Sequence, residues 1–303
     1  MADFDGRVIA ITGAGRGLGR EHALLLGGMG ARLVINDLGA TTKGDGLDAS
    51  PAEDVAAAVR DLGGQAIVNG DDVSSWAGGQ RLVDDAIAAF GQLDGLVNNA
   101  GILRDAMLVN LSEDDWDRSI AVNLKGHVAP ARAAAAHWRD RAKRREQVAA
   151  SIVNTASESG VFGNVGQSNY NAAKSGVVSL TETWAKELIR YGVRVNAMLP
   201  RARTRLTEGT FGTGGMQAND GEFDAWHPGN VSPLVAYLLT LECELNGHVF
   251  VTGGGLVQRV KGWSLDNEWK LKQPERWTVN GLAAAIGERG APSNADRNTG
   301  FIR

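Results

Sequence analysis

A single cysteine, Cys243, stands among 303 residues. It excludes an internal disulfide and any cysteine-based zinc cluster, and it points to a reducing compartment, here the cytoplasm. No apolar run approaches the ~18–20 residues that a membrane-spanning helix needs, so no membrane partner is expected. An excess of charge is also lacking. Against 35 acidic residues stand 31 basic ones, a net charge of −4, which gives no footprint for nucleic acid or an anionic lipid surface. The five histidines fall at no metal-ligand spacing, so no metal site is expected. From Met1 to Gly13 the chain passes from acidic residues straight into an apolar strand pattern, without the signature of a signal or transit peptide.

Glycine, by contrast, is plentiful: 40 residues, about twice ordinary usage, scattered without a collagen-like or low-complexity period. Scattered glycine permits sharp turns and close backbone approaches, which suits a loop-dependent α/β fold. Short runs rich in Val and Ile alternate with longer helical stretches. The pattern predicts strands over Arg7–Thr12, Arg32–Asn36, Gln65–Asn69, Leu93–Asn98, Ser151–Thr155, Val193–Leu199 and His248–Val251. It predicts helices over Gly17–Met29, Ala52–Leu62, Ser75–Phe90, Glu113–Arg145, Asn169–Arg190 and Ser232–Leu241. Runs such as VIAI, RLVIN and GLVNN lack polar alternation, as strands of a parallel sheet covered on both faces do. Repeated strand–helix alternation implies right-handed crossovers and a doubly wound parallel sheet of about seven strands.

No internal repeat or linker divides the chain. A single domain is expected over residues 1–255, followed by an extension, 256–303, that packs on the core or a neighbouring subunit. Trp263, Trp269 and Trp277 in that extension read either as apolar anchors or as a subunit contact, and Ala291–Arg303 turns polar and should fray. Thr204–Gly229, rich in Gly, Thr and Asp between a strand and a helix, is placed where a mobile lid would lie.

The first strand runs into Thr12-Gly13-Ala14-Gly15-Arg16-Gly17-Leu18-Gly19 and then into a helix. Glycines let the backbone turn sharply and approach a pyrophosphate, whose charge amide groups and the positive helix end receive. The motif has its required context, strand before and helix after. Asp37 ends the second strand, where a carboxylate accepts from ribose hydroxyls of NAD and repels the 2′-phosphate of NADP. Arg16 pulls the other way, since a guanidinium in the glycine loop can pair with that phosphate. A fixed like charge beside the phosphate outweighs a flexible arginine, so NAD is preferred over NADP. After the third strand, Asp72 is placed to bond an adenine amino group, with Val73 beside it; after the fourth, Asn98-Asn99-Ala100-Gly101 offers small residues for a close backbone approach.

The fifth strand ends in Asn154-Thr155-Ala156-Ser157, and the next helix carries Tyr170 and Lys174, four apart and therefore on one face. An ammonium beside a phenol stabilises phenolate and draws a pKa that starts near ~10 toward the range of an acid–base catalyst. Asn123 stands inside a long helix, where asparagine is a poor helix former.

Together T-G-x-x-x-G-x-G, N-N-A-G, the N-x-x-G asparagine, the serine and Y-x-x-x-K resemble the short-chain dehydrogenase/reductase family, over roughly Gly6 to Gly255. Asn36-Asp37-Leu38-Gly39, Gly163-Asn164, Gly166-Gln167 and Arg205-Leu206-Thr207-Glu208 are similar to one branch, the (3R)-hydroxyacyl-CoA dehydrogenase domain of peroxisomal multifunctional enzymes and its bacterial relatives. The resemblance implies a Rossmann-type fold and a catalytic tetrad of Asn123, Ser157, Tyr170 and Lys174. Tyr170 would act as acid or base, Ser157 would hold the reacting oxygen, and Lys174 would also bind the nicotinamide ribose. Asn123 would hold a water that links Lys174 to solvent. Pro200 and Thr204 would line the nicotinamide, Thr204 at its carboxamide. Expected substrates are small molecules, an acyl-CoA or a steroid alcohol, and a homo-oligomer, dimer or tetramer, is implied.

Where many family members read proline–glycine after strand six, this chain reads Pro200-Arg201-Ala202-Arg203-Thr204. Arg201 and Arg203 are read either as contacts to acyl-CoA phosphates or as solvated, and Glu158 as exposed. The leading reading is an NAD-dependent dehydrogenase of a 3-hydroxyacyl-CoA. Alternatives are a hydroxysteroid dehydrogenase, an NADPH-linked 3-oxoacyl reductase, and a non-catalytic dinucleotide sensor or scaffold, which an intact tetrad disfavours.

Overall fold

In β1 (Val8–Thr12) every residue is buried, and the side chains divide between two cores. Ile9 and Ile11 join one, Val8 and Ala10 the other; in β2 (Arg32–Asn36), Leu33 and Ile35 likewise oppose Val34. Successive side chains point to opposite faces of a strand, so a strand covered on both sides must be apolar throughout. The computed structural model in which these contacts are seen describes residues 4–207, 218, 221–262 and 264–290.

The remaining strands are β3 (Gln65–Asn69), β4 (Gly95–Asn98), β5 (Ala150–Thr155), β6 (Val193–Pro200), β7 (Val249–Gly253) and β8 (Leu256–Arg259). They form an eight-stranded sheet in the order β3-β2-β1-β4-β5-β6-β7-β8. Seven strands run parallel, as the sequence predicts. The eighth, β8, pairs antiparallel with β7 after a turn through Gly253, Gly254 and Gly255, all with positive φ. Its four residues are exposed, so it lacks the apolar pattern by which the others were recognised.

One face of the sheet is covered by α1 (Gly17–Gly28), α2 (Ser50–Asp61) and α8 (Ser232–Leu239), the other by α3 (Trp76–Phe90), α5 (Gly126–Lys143) and α7 (Ser168–Leu188). At Gly79 a Cβ would lie 2.5 Å from the Ala129 carbonyl carbon, so α3 and α5 meet backbone to backbone. Trp138 on α5 is fully buried and donates its Nε1–H to the Leu93 carbonyl at 2.6 Å.

The predicted Glu113–Arg145 helix is divided. It comprises α4 (Glu113–Ile120), a π turn over Ala121–Lys125, and then α5. A short helix, α6 (Glu158–Phe162), follows β5. Because β1 neighbours both β2 and β4, the chain leaves it in opposite directions, and a crevice opens at the carboxyl ends of those strands. Among the described residues no helix is long and apolar enough to cross a membrane.

The chain divides into two units, Met1–Val260 and Lys261–Arg303. The second holds α9 (Val279–Arg289), capped by Thr278, which accepts from the Gly281 N–H. Within it the Trp269 Nε1–H donates to the Gly290 carbonyl at 3.0 Å. Trp263 and the tail from 291 lie outside the described residues, as does most of the expected lid between 208 and 220.

Replacing Trp138 with alanine removes a fully buried indole and strands the Leu93 carbonyl. The expected loss is about 3–5 kcal/mol of unfolding free energy. Equilibrium urea denaturation would show it as a lower midpoint, with Trp138→Phe falling between wild type and Trp138→Ala.

Candidate active site

The β1–α1 turn is fixed from the strand beside it. Thr12 Oγ1 accepts from the Asn99 and Ala100 N–H groups at 2.9 and 3.0 Å, while Asn99 Nδ2 donates to the Thr12 and Gly13 carbonyls at 3.1 and 3.0 Å. Gly13 has φ +62°, and a Cβ there would lie 2.8 Å from Ala100 Cα. Asp37 completes the turn: Oδ2 accepts from the Gly15 N–H at 2.7 Å and Oδ1 from the Gly39 N–H at 2.6 Å. Its carboxylate is therefore held in place before any ligand arrives.

Helix α1 begins without a side-chain cap, as α2, α5 and α7 also do. Ser75 caps α3 and Ser112 caps α4, whereas the first turn of α1 holds neither a cap nor an acid. Its leading N–H groups, at Gly17, Leu18 and Gly19, lack intrahelical partners by the geometry of any helix. They and the positive end of the helix dipole favour an anion there. Gly13, Arg16, Gly17, Leu18, Asp37, Asp72, Val73, Asn99, Ala100 and Gly101 line one cavity of about 330 Å³. This combination fits a dinucleotide: a bare helix start for pyrophosphate and a fixed carboxylate for ribose. Gly19 does not line the cavity. A Cβ there would lie 2.3 Å from the Gly13 carbonyl oxygen, so this glycine serves the packing of helix on turn.

Ser157, Tyr170, Lys174, Pro200 and Thr204 line the same cavity. Ser157 follows β5 and caps α6, its Oγ accepting from the Ser159 N–H at 3.2 Å, and it hydrogen-bonds the Tyr170 phenol. Tyr170 and Lys174 project from α7. The approach of α6 to α7 depends on Gly160, where a Cβ would meet the Lys174 carbonyl carbon at 2.7 Å. Lys174 is buried, its Nζ donating to the Thr155 carbonyl at 2.7 Å and lying 5.7 Å from the Tyr170 ring centroid. His127 Nε2 sits 3.3 Å from the same carbonyl.

Asn123 lies behind this group and does not line the cavity. It is fully buried in the π turn, where Oδ1 accepts from the Ile102 N–H and Nδ2 donates to the Ile102 carbonyl, both at 3.0 Å, and to Ser119 Oγ at 3.1 Å. These bonds tie the π turn to the segment after β4. The side chain expected to hold a water is already bonded on both its oxygen and its nitrogen.

Burial dominates the electrostatics. It pushes the Tyr170 phenol up to about 12, with the charge of Asp105 adding to the rise and the Ser157 hydrogen bond opposing it. Burial also draws Lys174 down to about 7. The expected lowering of the phenol by a charged lysine is thus not what the cavity alone produces, because burial disfavours the charged form of both groups. His127 is held well below its ordinary value by burial, with the charge of Lys174 acting in the same direction, and is neutral.

Two expectations are corrected. Glu158 is not exposed: it grips Arg201 in a bidentate pair at 2.6 and 2.8 Å, with side-chain exposures of 13% and 17%. Arg203 pairs with Asp224 at 2.6 Å, so neither arginine is simply solvated. The cavity also takes in Thr41, Thr42, Gly44, Arg118, Ala121 and Val122, which no motif marks. Arg16 turns to Asp48 at 3.6 Å.

The pKa of Lys174 fixes a sign. The folded state holds this proton to about pH 7, the unfolded chain to about 10.4, so folding expels a proton in between. Stability therefore rises with pH across that window, and the penalty is complete below it. Lys174→Met should raise Tm at pH 7 and lose that advantage by pH 10, as measured by scanning calorimetry.

A family model described as short chain dehydrogenase matches residues 7–210. The chain is 44% identical over 262 residues to hydroxyacyl-CoA dehydrogenase ChsB1 of Mycobacterium tuberculosis, covering 85% of this chain and 80% of that protein. It is 42% identical to peroxisomal multifunctional enzyme type 2 of Drosophila melanogaster, over 83% of this chain and 40% of that longer protein. The crystal structure of a short chain dehydrogenase from Mycobacterium avium superposes with a TM-score of 0.84 at 42% identity, covering 95% of this chain and 97% of the other. A doubly wound sheet, a glycine turn at its crevice and a serine–tyrosine–lysine cluster facing that turn thus agree with the comparisons: the chain belongs to the short-chain dehydrogenase/reductase family of oxidoreductases.

Proposed function

We propose that the protein is an NAD-dependent dehydrogenase that interconverts a secondary alcohol and a ketone, with a 3-hydroxyacyl-CoA as its substrate. One observation carries the reading: the Ser157, Tyr170 and Lys174 side chains open on the same cavity as the bare start of α1 and the fixed carboxylate of Asp37. The dinucleotide would be held by the Gly13–Leu18 turn at its pyrophosphate, by Asp37 at its adenosine ribose and by Asp72 and Val73 at its adenine. Lys174 and Tyr170 would hold the nicotinamide ribose, and Asn99 to Gly101, Pro200 and Thr204 would border the ring. When bound, the nicotinamide supplies the hydride acceptor for oxidation and the donor for reduction.

The protein's part is proton transfer and alignment. Tyr170 Oη takes the hydroxyl proton in oxidation and returns it in reduction. Ser157 Oγ has one proton to donate: in the open cleft it goes to the phenol, where it favours the phenolate, and with substrate bound it goes to the reacting oxygen. Lys174 Nζ, anchored by the Thr155 carbonyl, places a titrating group beside the phenol. A group poised near neutrality can exchange protons with little driving force in either direction. Asn123 contributes by shaping the π turn behind Lys174 and Gly101.

NAD is preferred because the Asp37 carboxylate is committed to two N–H groups and cannot swing away from a 2′-phosphate. The acyl-CoA assignment is supported by the name of the relative at 44% identity, a hydroxyacyl-CoA dehydrogenase.

Absorbance of newly formed NADH, recorded with 3-hydroxyacyl-CoA thioesters beside a hydroxysteroid, tests the substrate. Turnover of the thioesters is expected to exceed that of the steroid; the reverse order rejects the assignment. Tyr170→Phe should slow thioester oxidation by about 10²–10⁴ while NADH binding, read by fluorescence, stays within the wild-type range. A Tyr170→Phe enzyme of full activity would remove the proposed acid–base role. Asp37→Ala should shift the kcat/KM ratio toward NADP by about tenfold or more. An unchanged ratio would remove Asp37 as the selecting group.

A further inference from the structure

The wall beside Asp37 is an exposed loop, residues 38–48, that joins β2 to α2. Its neck is closed: the Asp48 N–H donates to the Leu38 carbonyl at 2.9 Å, and at Gly39, with φ +67°, a Cβ would lie 1.7 Å from the Asp48 carbonyl oxygen. Its tip is a tight turn, with the Thr41 N–H on the Asp45 carbonyl at 2.8 Å and the Gly44 N–H on the Thr41 carbonyl at 3.0 Å. Thr41, Thr42 and Gly44 line the cavity, whereas Lys43, Asp45, Gly46 and Leu47 are exposed. A turn wet on its outer side has little reason of its own to stay against the cleft.

Among the described residues, the hydrogen bonds between this tip and the rest of the protein come from two consecutive residues. The Leu103 N–H donates to the Thr42 carbonyl at 2.9 Å. Arg104 supplies the others, Nε to the Lys43 carbonyl at 2.8 Å and Nη2 to Asp45 at 3.1 Å. Its remaining end is anchored at the start of α4, with Nη1 on Asp114 and Asp115 at 2.9 and 3.1 Å. The side chain is 11% exposed because its partners cover it, so one guanidinium at the protein surface meets three carboxylates and a carbonyl. The main chain of Arg104 is fixed as well: Asn169, fully buried, donates to the Arg104 carbonyl at 2.8 Å and to the Asp115 carbonyl at 3.0 Å, and accepts the Tyr170 N–H at 2.8 Å.

We propose that Arg104 is a positioning residue that holds the 38–48 loop as the wall of the adenosine half of the cleft, setting dinucleotide affinity without touching the reacting atoms. The inference rests on the dinucleotide reading above. Only a planar fork reaches the carbonyl, Asp45 and the two acids of α4 together; an ammonium on a flexible stem cannot span them.

The test reads binding without turnover, by titration calorimetry with ADP-ribose, which carries adenosine and pyrophosphate but no nicotinamide. Arg104→Gln is expected to weaken ADP-ribose binding about tenfold, and Arg104→Lys nearly as much. Asp45→Asn, on the exposed tip, should weaken it about threefold, and the double variant should be no weaker than Arg104→Gln alone. In kinetics the KM for NAD should rise by the same factors with kcat within about twofold of wild type, the mark of lost uniform binding. ADP-ribose should protect the peptide bond after Lys43 from trypsin in wild type but not in Arg104→Gln.

Unchanged ADP-ribose affinity in Asp45→Asn and Arg104→Gln overturns the proposal, as does a fall in kcat at constant KM for NAD. If Arg104→Gln does not fold, Asp45→Asn decides alone. If wild type binds neither ADP-ribose nor NADH, the dinucleotide reading itself fails, and this inference falls with it.

Discussion

The cleft depends on two stretches of main chain lying closer together than side chains would allow. The β1–α1 turn and the segment after β4 meet at Gly13 and Ala100, where a single added carbon would fall 2.8 Å from a Cα. Thr12 and Asn99 fasten the contact with four hydrogen bonds. The approach brings the bare start of α1 to the mouth of the crevice. The same crevice receives Ser157 from β5 and Tyr170 from α7, because β4 and β5 are neighbours in the sheet. Glycine in this protein is thus less a source of flexibility than of proximity.

A second constraint is the dryness of the catalytic end. Lys174 gives up most of its affinity for a proton in exchange for a place behind Tyr170, and the phenol is driven the opposite way. Both shifts oppose the charged form, as burial requires. The arrangement is therefore strained electrostatically, and the strain sits where the proton movement proposed above would take place. Sites that trade stability for reactivity are the rule in enzymes.

The parallel strands and their helices were legible in the sequence because burial on both faces leaves no polar positions to blur the pattern, as in VIAI and RLVIN. Ser157, Tyr170 and Lys174, which the structure brings to one cavity, stood out in the sequence because the serine follows a buried strand and the other two share one face of the next helix. What escaped has specific causes. Strand β8 is exposed at every position and carries no periodicity. The π turn holds Asn123 against the peptide of Ile102, 21 residues away, and no local propensity records such a partner. Glu158 and Arg201 look like surface charges in sequence, yet they follow β5 and β6, which are adjacent strands, so strand order alone makes them a pair. Arg104 lies in a stretch with no recognisable motif, and its importance appears only when Asp45, Asp114 and Asp115 are seen to converge on it.

The closed neck of the 38–48 loop has a consequence for redesign of the protein. At Gly39 no side chain fits, because a Cβ there would fall 1.7 Å from the Asp48 carbonyl oxygen. Beyond it Lys43, Asp45, Gly46 and Leu47 are exposed, and among the described residues the tip's hydrogen bonds to the rest of the protein come from Leu103 and Arg104. On the reading proposed above, grafting tips of other lengths between unchanged ends would tune dinucleotide affinity while Asp37 and the reacting residues are left alone.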